Sequence, residues 1–296
     1  MEGFGKKLDD ITIYQRRLAT KQIINDFGEC DIRYLPIRDI EGLLIRDKKH
    51  SGSWKNFYLE TFSCIYEETK WNCPTHVSKP KFQRFSKNSR KCDILTTKEL
   101  EQLFQPKFWN SYTEYLLFVC IASCGLRIGE ARALQGKQFL FDRKILVVNG
   151  FCKRDGTRAF YNKKGSIHDD KIRVVPLPDE TIRLLKDFFQ LQNIMNDDFV
   201  FQNKNGCPID KDHLEHVFKV TLKKAKINVE NRKIVPHSLR YTYVTRMRRG
   251  LAVEDVQRLV GHSSIEMTEY YTRSTLPELI ASVQGSFESA NNLFSD

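Results

Sequence analysis

Apolar side chains recur every three to four residues over most of the chain, the spacing that one face of a helix imposes. The pattern runs through 11–27 and stops at Gly28, a natural helix terminator. It resumes over Ile37–Ile45 after Pro36, and again over Ser53–Glu68 with Trp54, Phe57, Tyr58, Phe62, Ile65 and Tyr66 near helical spacing. Residues 1–75 therefore read as a small all-helical unit whose aromatics form its core. Thr96 and Thr97 ahead of Lys98-Glu99-Leu100 mark a further helix start, and Tyr112–Ser123 is an apolar helix broken at Gly125. Helical spacing returns at Thr181–Met195, Asp210–Lys226, Pro236–Arg249 and Val253–Val260. Only three short runs read as strands: Ile145–Val148, Ile172–Val175 and, more weakly, Phe199–Phe201. The predicted fold class is mainly α with a small antiparallel β-sheet (α+β).

Between the helical blocks lies a stretch of different character. From Lys79 to Lys91 there are six basic residues (Lys79, Lys81, Arg84, Lys87, Arg90 and Lys91) and no acidic one, with Pro80, Ser86, Asn88 and Ser89 interrupting any period. The expected organisation is a helical unit over 1–78, a basic linker over 79–94 and a second domain over 95–296. The linker reads either as a solvated tether or as a strap along phosphates. A second basic stretch, with Lys153, Arg154, Arg158, Lys163, Lys164 and Lys171, falls between the first two strands.

Charge sharpens this picture. Lys and Arg number 48 against 37 Asp and Glu, a formal net charge of +11, which favours a polyanionic partner, nucleic acid first among them. No run of apolar residues is long enough to span a membrane, and nothing at the N-terminus resembles a signal peptide. The eight cysteines include no C-x-x-C pair. They read as mostly buried free thiols in a reducing cytoplasm, with no metal site and no cofactor implied.

Four separated motifs carry chemistry. Gly125-Leu126-Arg127-Ile128-Gly129-Glu130 places an arginine and a glutamate on one face of a helix start. Pro236-His237-Ser238-Leu239-Arg240 opens a helix with a histidine and an arginine three apart. Leu259-Val260-Gly261-His262 ends a helix on glycine with a histidine beyond it, and Tyr271 follows His262 by nine residues, with Tyr270 beside it. The first three each have a bland reading alone: a surface ion pair, a chance H-x-x-R, a capping histidine.

Their order and context together resemble the tyrosine recombinases, the phage integrase and Xer-like enzymes, over about residues 95–275. The resemblance implies that Arg127 and Arg240 grip a scissile phosphate, that Glu130 supports Arg127, that His237 and His262 handle protons and that Tyr271 is the nucleophile, with Tyr270 its rival. It also implies a lysine in a β-hairpin. The hairpin ends clearly at Arg173-Val174-Val175-Pro176-Leu177, but its turn is long, so Lys164 is the choice while Lys163 and Lys171 stay open. The helical unit loosely resembles the family's core-binding domain, which closes over the duplex opposite the catalytic domain. The implied partners are double-stranded DNA and further copies of the chain, a dimer on one site and a tetramer in synapsis, with no membrane. The apolar spacing of Leu276, Leu279, Ile280, Val283 and Phe287 suggests a tail helix that docks on its own domain or on a neighbour.

The residue types suit that chemistry. A phosphodiester is already anionic, and two guanidiniums can fork onto its non-bridging oxygens and stay charged at any working pH. A phenol with a pKa near 10 needs nearby cations and a base to become a nucleophile. The expected activity is site-specific cutting and rejoining through a 3′-phosphotyrosine and a four-way junction, with neither metal nor ATP. A type IB topoisomerase-like activity and a catalytically inactive DNA-binding protein are the competing expectations.

Overall fold

The computed structural model describes residues 10–72, 78–86, 91–161, 172–262 and 268. It divides into two compact units, residues 1–90 and 91–296. No helix among the described residues is long and apolar enough to cross a membrane.

The first unit holds α1 (Asp10–Phe27), α2 (Ile37–Arg46) and α3 (Gly52–Asn72). Its core is aromatic: Tyr58, Phe62 and Tyr66 follow one another along α3, buried with Ile23, Ile40 and Leu44. Successive rings lie 6.1 and 5.8 Å apart, the tilted contact that aromatic quadrupoles favour. Tyr58 donates its hydroxyl to Asp26 at 2.9 Å, which satisfies its buried polar end.

The basic stretch departs from the expected linker. Residues 78–86 lie on the first unit, where Phe82 and Phe85 pack against its core. The Asn56 amide makes two hydrogen bonds of 2.8 Å, donating to the Phe85 carbonyl and accepting from its N–H. The missing acids come from α3: Arg84 pairs with Glu60 at 2.9 Å and Lys79 with Glu67 at 3.7 Å. Residues 91–95 belong instead to the second unit, where Leu95 is buried and the backbones of Asp93 and Lys233 are joined.

The second unit begins with α4 (Thr97–Leu103), started by a complete capping box between Thr96 and Glu99. Its central helix α5 (Tyr112–Cys124) is buried around most of its circumference and ends at Gly125 in the left-handed region, φ +62°. The helix α6 (Ile128–Arg132) follows, then β1 (Phe139–Leu140), β2 (Ile145–Val148), β3 (Gly150–Cys152), β4 (Arg158–Phe160) and β5 (Arg173–Pro176). The strands form two antiparallel sheets, β1-β2-β5 and β3-β4. The chain continues through α7 (Asp179–Gln192), α8 (Lys211–Lys224), α9 (Pro236–Met247) and α10 (Val253–Val260), which packs on α9 and β5. Phe199 makes an isolated bridge to Gln135 and forms no strand. Fewer of the described thiols are buried than expected: Cys120, Cys124 and Cys152 are buried, Cys64 and Cys92 half-buried, and Cys30 and Cys207 exposed, while Cys73 lies outside the described residues.

Register in the three-stranded sheet decides which way the β5 side chains point. Leu146 pairs with Val175 and Val148 with Arg173. On β5 the buried positions are therefore Arg173 and Val175, while Val174 faces outward. Strand alternation places a full charge on the core side of a sheet, where it requires a buried counter-charge.

Candidate active site

That counter-charge is Glu130. It sits in the first turn of α6, fully buried, and the short helix exists to present it. Arg127 is the N-cap, and its backbone N–H donates to Glu130 Oε2 at 2.8 Å, so the carboxylate also closes the helix start. Arg173 reaches the same carboxylate with both prongs, Nη1 to Oε1 at 3.0 Å and Nη2 to Oε2 at 2.7 Å. Arg127 adds Nη1 to Oε1 at 2.9 Å, the Tyr161 hydroxyl donates to Oε1 at 2.8 Å, and Arg240 Nη1 stands 3.8 Å from Oε2. Burial alone would raise the carboxyl pKa, but Arg173 first, then Arg240 and Arg127, hold it well below the ordinary carboxylate range.

The three guanidiniums share a second anchor, the C-terminal end of α10. Arg173 Nε donates to Leu259 O at 2.8 Å, Arg240 Nη2 to Val260 O at 2.6 Å and Arg127 Nη2 to Gly261 O at 3.3 Å. Three consecutive carbonyls, which a helix end leaves without intrahelical partners, each receive one arginine. Arg240, in the second turn of α9, also donates to Gly125 O at 2.6 Å. Two glycines make this possible. At Gly125 a Cβ would stand 2.4 Å from the Tyr243 ring, and at Gly261, φ +64°, it would crowd Arg173 Nη1 at 3.3 Å.

Three guanidiniums against one carboxylate leave a formal surplus of two positive charges. Arg127 faces outward most, its side chain 35% exposed while those of Arg173 and Arg240 are 4% and 0%. The histidines lie within this field. Burial, then the charges of Arg240 and Arg127, push His237 from 6.5 down to about 4, partly offset by Glu130. Burial with Arg240, Arg127, Arg173 and His237 pushes His262 down to about 3. Both imidazoles are therefore neutral near pH 7. His262 follows the left-handed Gly261 and its Nδ1 lies 3.0 Å from Thr268 Oγ1. His237 is set by the start of α9, where Pro236 occupies the first turn and Ser238 accepts from the Val235 N–H at 3.1 Å.

Arg127, Glu130, His237, Arg240 and His262, spread over 136 positions of sequence, thus gather in one place. Tyr271 and its neighbour Tyr270 lie outside the described residues, as do Lys163, Lys164, Lys171, the 276–296 tail, Lys87 and Arg90. Lys79, Lys81 and Arg84 lie on the first unit, exposed, and Lys91 is half-buried at the start of the second. No group of three or more histidine, cysteine or acidic residues that could hold a metal occurs among the described residues. Sequence reasoning missed two members of the cluster, Arg173 and Tyr161. The signal for Arg173 was present: in Arg173-Val174-Val175 an inward Val175 makes Arg173 inward too.

A model of the phage integrase family matches residues 93–277. The chain belongs to the phage integrase family. Among its curated relatives, the "Tyrosine recombinase" of Pseudothermotoga lettingae is 25% identical, over 92% of this chain and 93% of the relative. The "Tyrosine recombinase XerA" of Pyrococcus furiosus is 25% identical over 64% of this chain; the match spans only 60% of that relative's length. In fold the chain is similar to the Tn1549 transposon integrase solved in complex with transposon right end DNA, with a TM-score of 0.73 and 19% identity over 96% of this chain and 94% of that one. The arginine–glutamate cluster thus lies wholly inside the segment that the phage integrase family model matches.

Proposed function

We propose that this phage integrase family member is a site-specific DNA recombinase that cuts and rejoins strands through a 3′-phosphotyrosine. The observation that carries the reading is the convergence of Arg127, Arg240, His237 and His262 on one buried carboxylate with a surplus of positive charge. Such a cluster suits a phosphodiester, whose non-bridging oxygens gain charge during displacement; fixed cations in a water-poor site stabilise that charge without reorganising.

In this reading Arg127 and Arg240 hold the scissile phosphate. Tyr271 attacks the phosphorus, its phenolic proton passing to neutral His237, and the bond to the 5′ oxygen breaks. Lys164, or one of its neighbours Lys163 and Lys171, donates the proton that makes the 5′ hydroxyl. His262 donates a ring N–H to a phosphate oxygen. The tyrosyl ester keeps the energy of the broken phosphodiester, so a second 5′ hydroxyl can reverse the step and join a new strand without ATP. Two rounds on two duplexes require four copies of the chain around a four-way junction. The first unit, residues 1–78 with the following basic segment, serves as the core-binding domain. Its Lys79 and Arg84 ion pairs are exposed and individually weak, so DNA phosphates compete for these cations. The chain acts in the cytoplasm, on replicons that share its compartment.

The test is covalent capture. The full chain is incubated with a pool of nicked duplexes carrying a randomised window, and protein–DNA adducts stable to denaturant are recovered and sequenced. The expected result is a discrete sequence, with the adduct lost in Tyr271→Phe while duplex binding persists. An adduct that survives in Tyr271→Phe and disappears in Tyr270→Phe moves the nucleophile. Relaxation of a supercoiled plasmid lacking the recovered sequence would favour a topoisomerase, and no adduct with any duplex would overturn the reading.

A further inference from the structure

The roles proposed for the cluster leave one charge without a task. Arg173 is 6% exposed, shielded from any phosphate held outside, yet it makes three hydrogen bonds within the cluster. We propose that Arg173 is a positioning residue for strand cleavage: by occupying both oxygens of Glu130 and the Leu259 carbonyl, it keeps Arg127 available to the phosphate and fixes the end of α10. This role rests on the function proposed above and goes beyond it.

Three cations compete for a single carboxylate. A carboxylate and a guanidinium pair most strongly through two parallel bonds. Glu130 gives that bidentate face to Arg173, at 3.0 and 2.7 Å. Arg127 consequently keeps a single side-chain bond to Oε1, and its second prong rests on Gly261 O at 3.3 Å, the longest of the three guanidinium bonds to α10. That prong is the one an incoming phosphate oxygen displaces at least cost. With Arg173 removed, Glu130 is free to close both oxygens on Arg127 or to swing toward Arg240, 3.8 Å away, neutralising the cations that grip the substrate.

The third bond of Arg173 acts at a different point. Its Nε to Leu259 O at 2.8 Å ties β5 to the last turn of α10, three residues before His262. Gly261 closes the same junction, because a Cβ there would meet Arg173 Nη1 at 3.3 Å and its φ is +64°. Glu130, the last turn of α10 and the position of His262 therefore depend on one side chain whose inward orientation is set by strand alternation. A lysine in its place supplies the charge but neither the fork nor the Nε–H, so charge alone does not reproduce the arrangement.

The experiment uses the full chain and the nicked duplex recovered by covalent capture, comparing the parent with Arg173→Lys, Arg173→Gln, Glu130→Gln and the Glu130→Gln/Arg173→Gln double variant. Duplex affinity is expected to stay within about threefold of the parent in Arg173→Lys, while its single-turnover rate of adduct formation falls about 100-fold, the scale of one preorganised donor. Because Glu130 is one of the two anchors through which Arg173 acts, the double variant is expected to lose less than the product of the two single losses, a non-additivity that a general loss of stability does not produce. Thermal melting identifies any variant that fails to fold; Arg173→Lys keeps the charge against Glu130, and its split between affinity and rate carries the test if Arg173→Gln is lost. Parental rates in folded Arg173→Lys, or losses that multiply in the double variant, overturn the proposal while leaving the recombinase reading intact. A parent chain that forms no adduct overturns both.

Discussion

Two groups of arginines, one gathered on Glu130 of α6 and one that includes Arg132 of the same helix, are put to opposite uses. Two residues beyond Glu130 in α6, Arg132 is 1% exposed and spends its guanidinium on backbone: Nε on Ile209 O at 2.6 Å and Nη1 on Lys153 O at 3.3 Å. Arg158 of β4 likewise donates to Ala133 O at 3.0 Å and to the amide oxygens of Gln138 and Asn149 at 3.1 and 2.8 Å, lying 4.3 Å over the Phe160 ring. These two are staples, whose bonds run to neutral oxygens. The group around Glu130 differs in sharing one carboxylate among three cations, in adjoining two imidazoles and in keeping Arg127 partly exposed. The contrast shows that burial of an arginine does not mark function. What marks it is surplus charge held in common, with one member facing out.

Arg240→Lys is the sharpest way to break this contrast. It retains the charge but cannot span Gly125 O and Val260 O, so adduct formation is expected to fall by about 1,000-fold with duplex binding largely kept. A lysine variant within tenfold of the parent would place Arg240 among the staples. Arg132→Met makes the opposite test. Losing both carbonyl bonds is expected to cost about 1–3 kcal/mol by denaturant unfolding, with the cleavage rate per folded molecule unchanged. A catalytic defect without a stability defect there would erase the distinction.

Acid sharpens it further. His237 and His262 titrate at about 4 and about 3 when folded, below the ordinary 6.5. Between these values the unfolded chain binds more protons, so stability is complete above about pH 6.5 and declines as pH falls through the window. Melting temperatures measured from about pH 7 to about pH 4.5 are expected to drop, and less steeply in His237→Gln. Equal slopes in the two chains would mean that His237 is not held neutral by the cluster. The smallest effect is expected for Tyr161→Phe, which removes one of several donors to Glu130 and costs about 1 kcal/mol, seen as a few-fold slower adduct formation.

The helices were legible because their ends carry local chemistry: Gly125 and Gly261 stop α5 and α10, Pro236 opens α9 and Thr96 with Glu99 caps α4. Strands β1, β3 and β4, of two and three residues, are too short to show a period, and they went unseen. Phe82 and Phe85 were hidden by the lysines and arginines around them, which made a packed segment look like a tether. In the site, the residues found were those whose motifs are contiguous. Arg173 meets Glu130 across 43 positions, and Tyr161 meets it across 31; no local pattern encodes such pairs.

The long reach between Arg127 and the Gly261 carbonyl, 134 positions apart, has a bearing on synthesis. While the ribosome is still making the chain, Arg127 at the start of α6 and Arg240 in α9 emerge before the α10 backbone oxygens that seat them. Nascent or prematurely terminated products that stop short of α10 therefore carry these cations without the backbone oxygens that orient them.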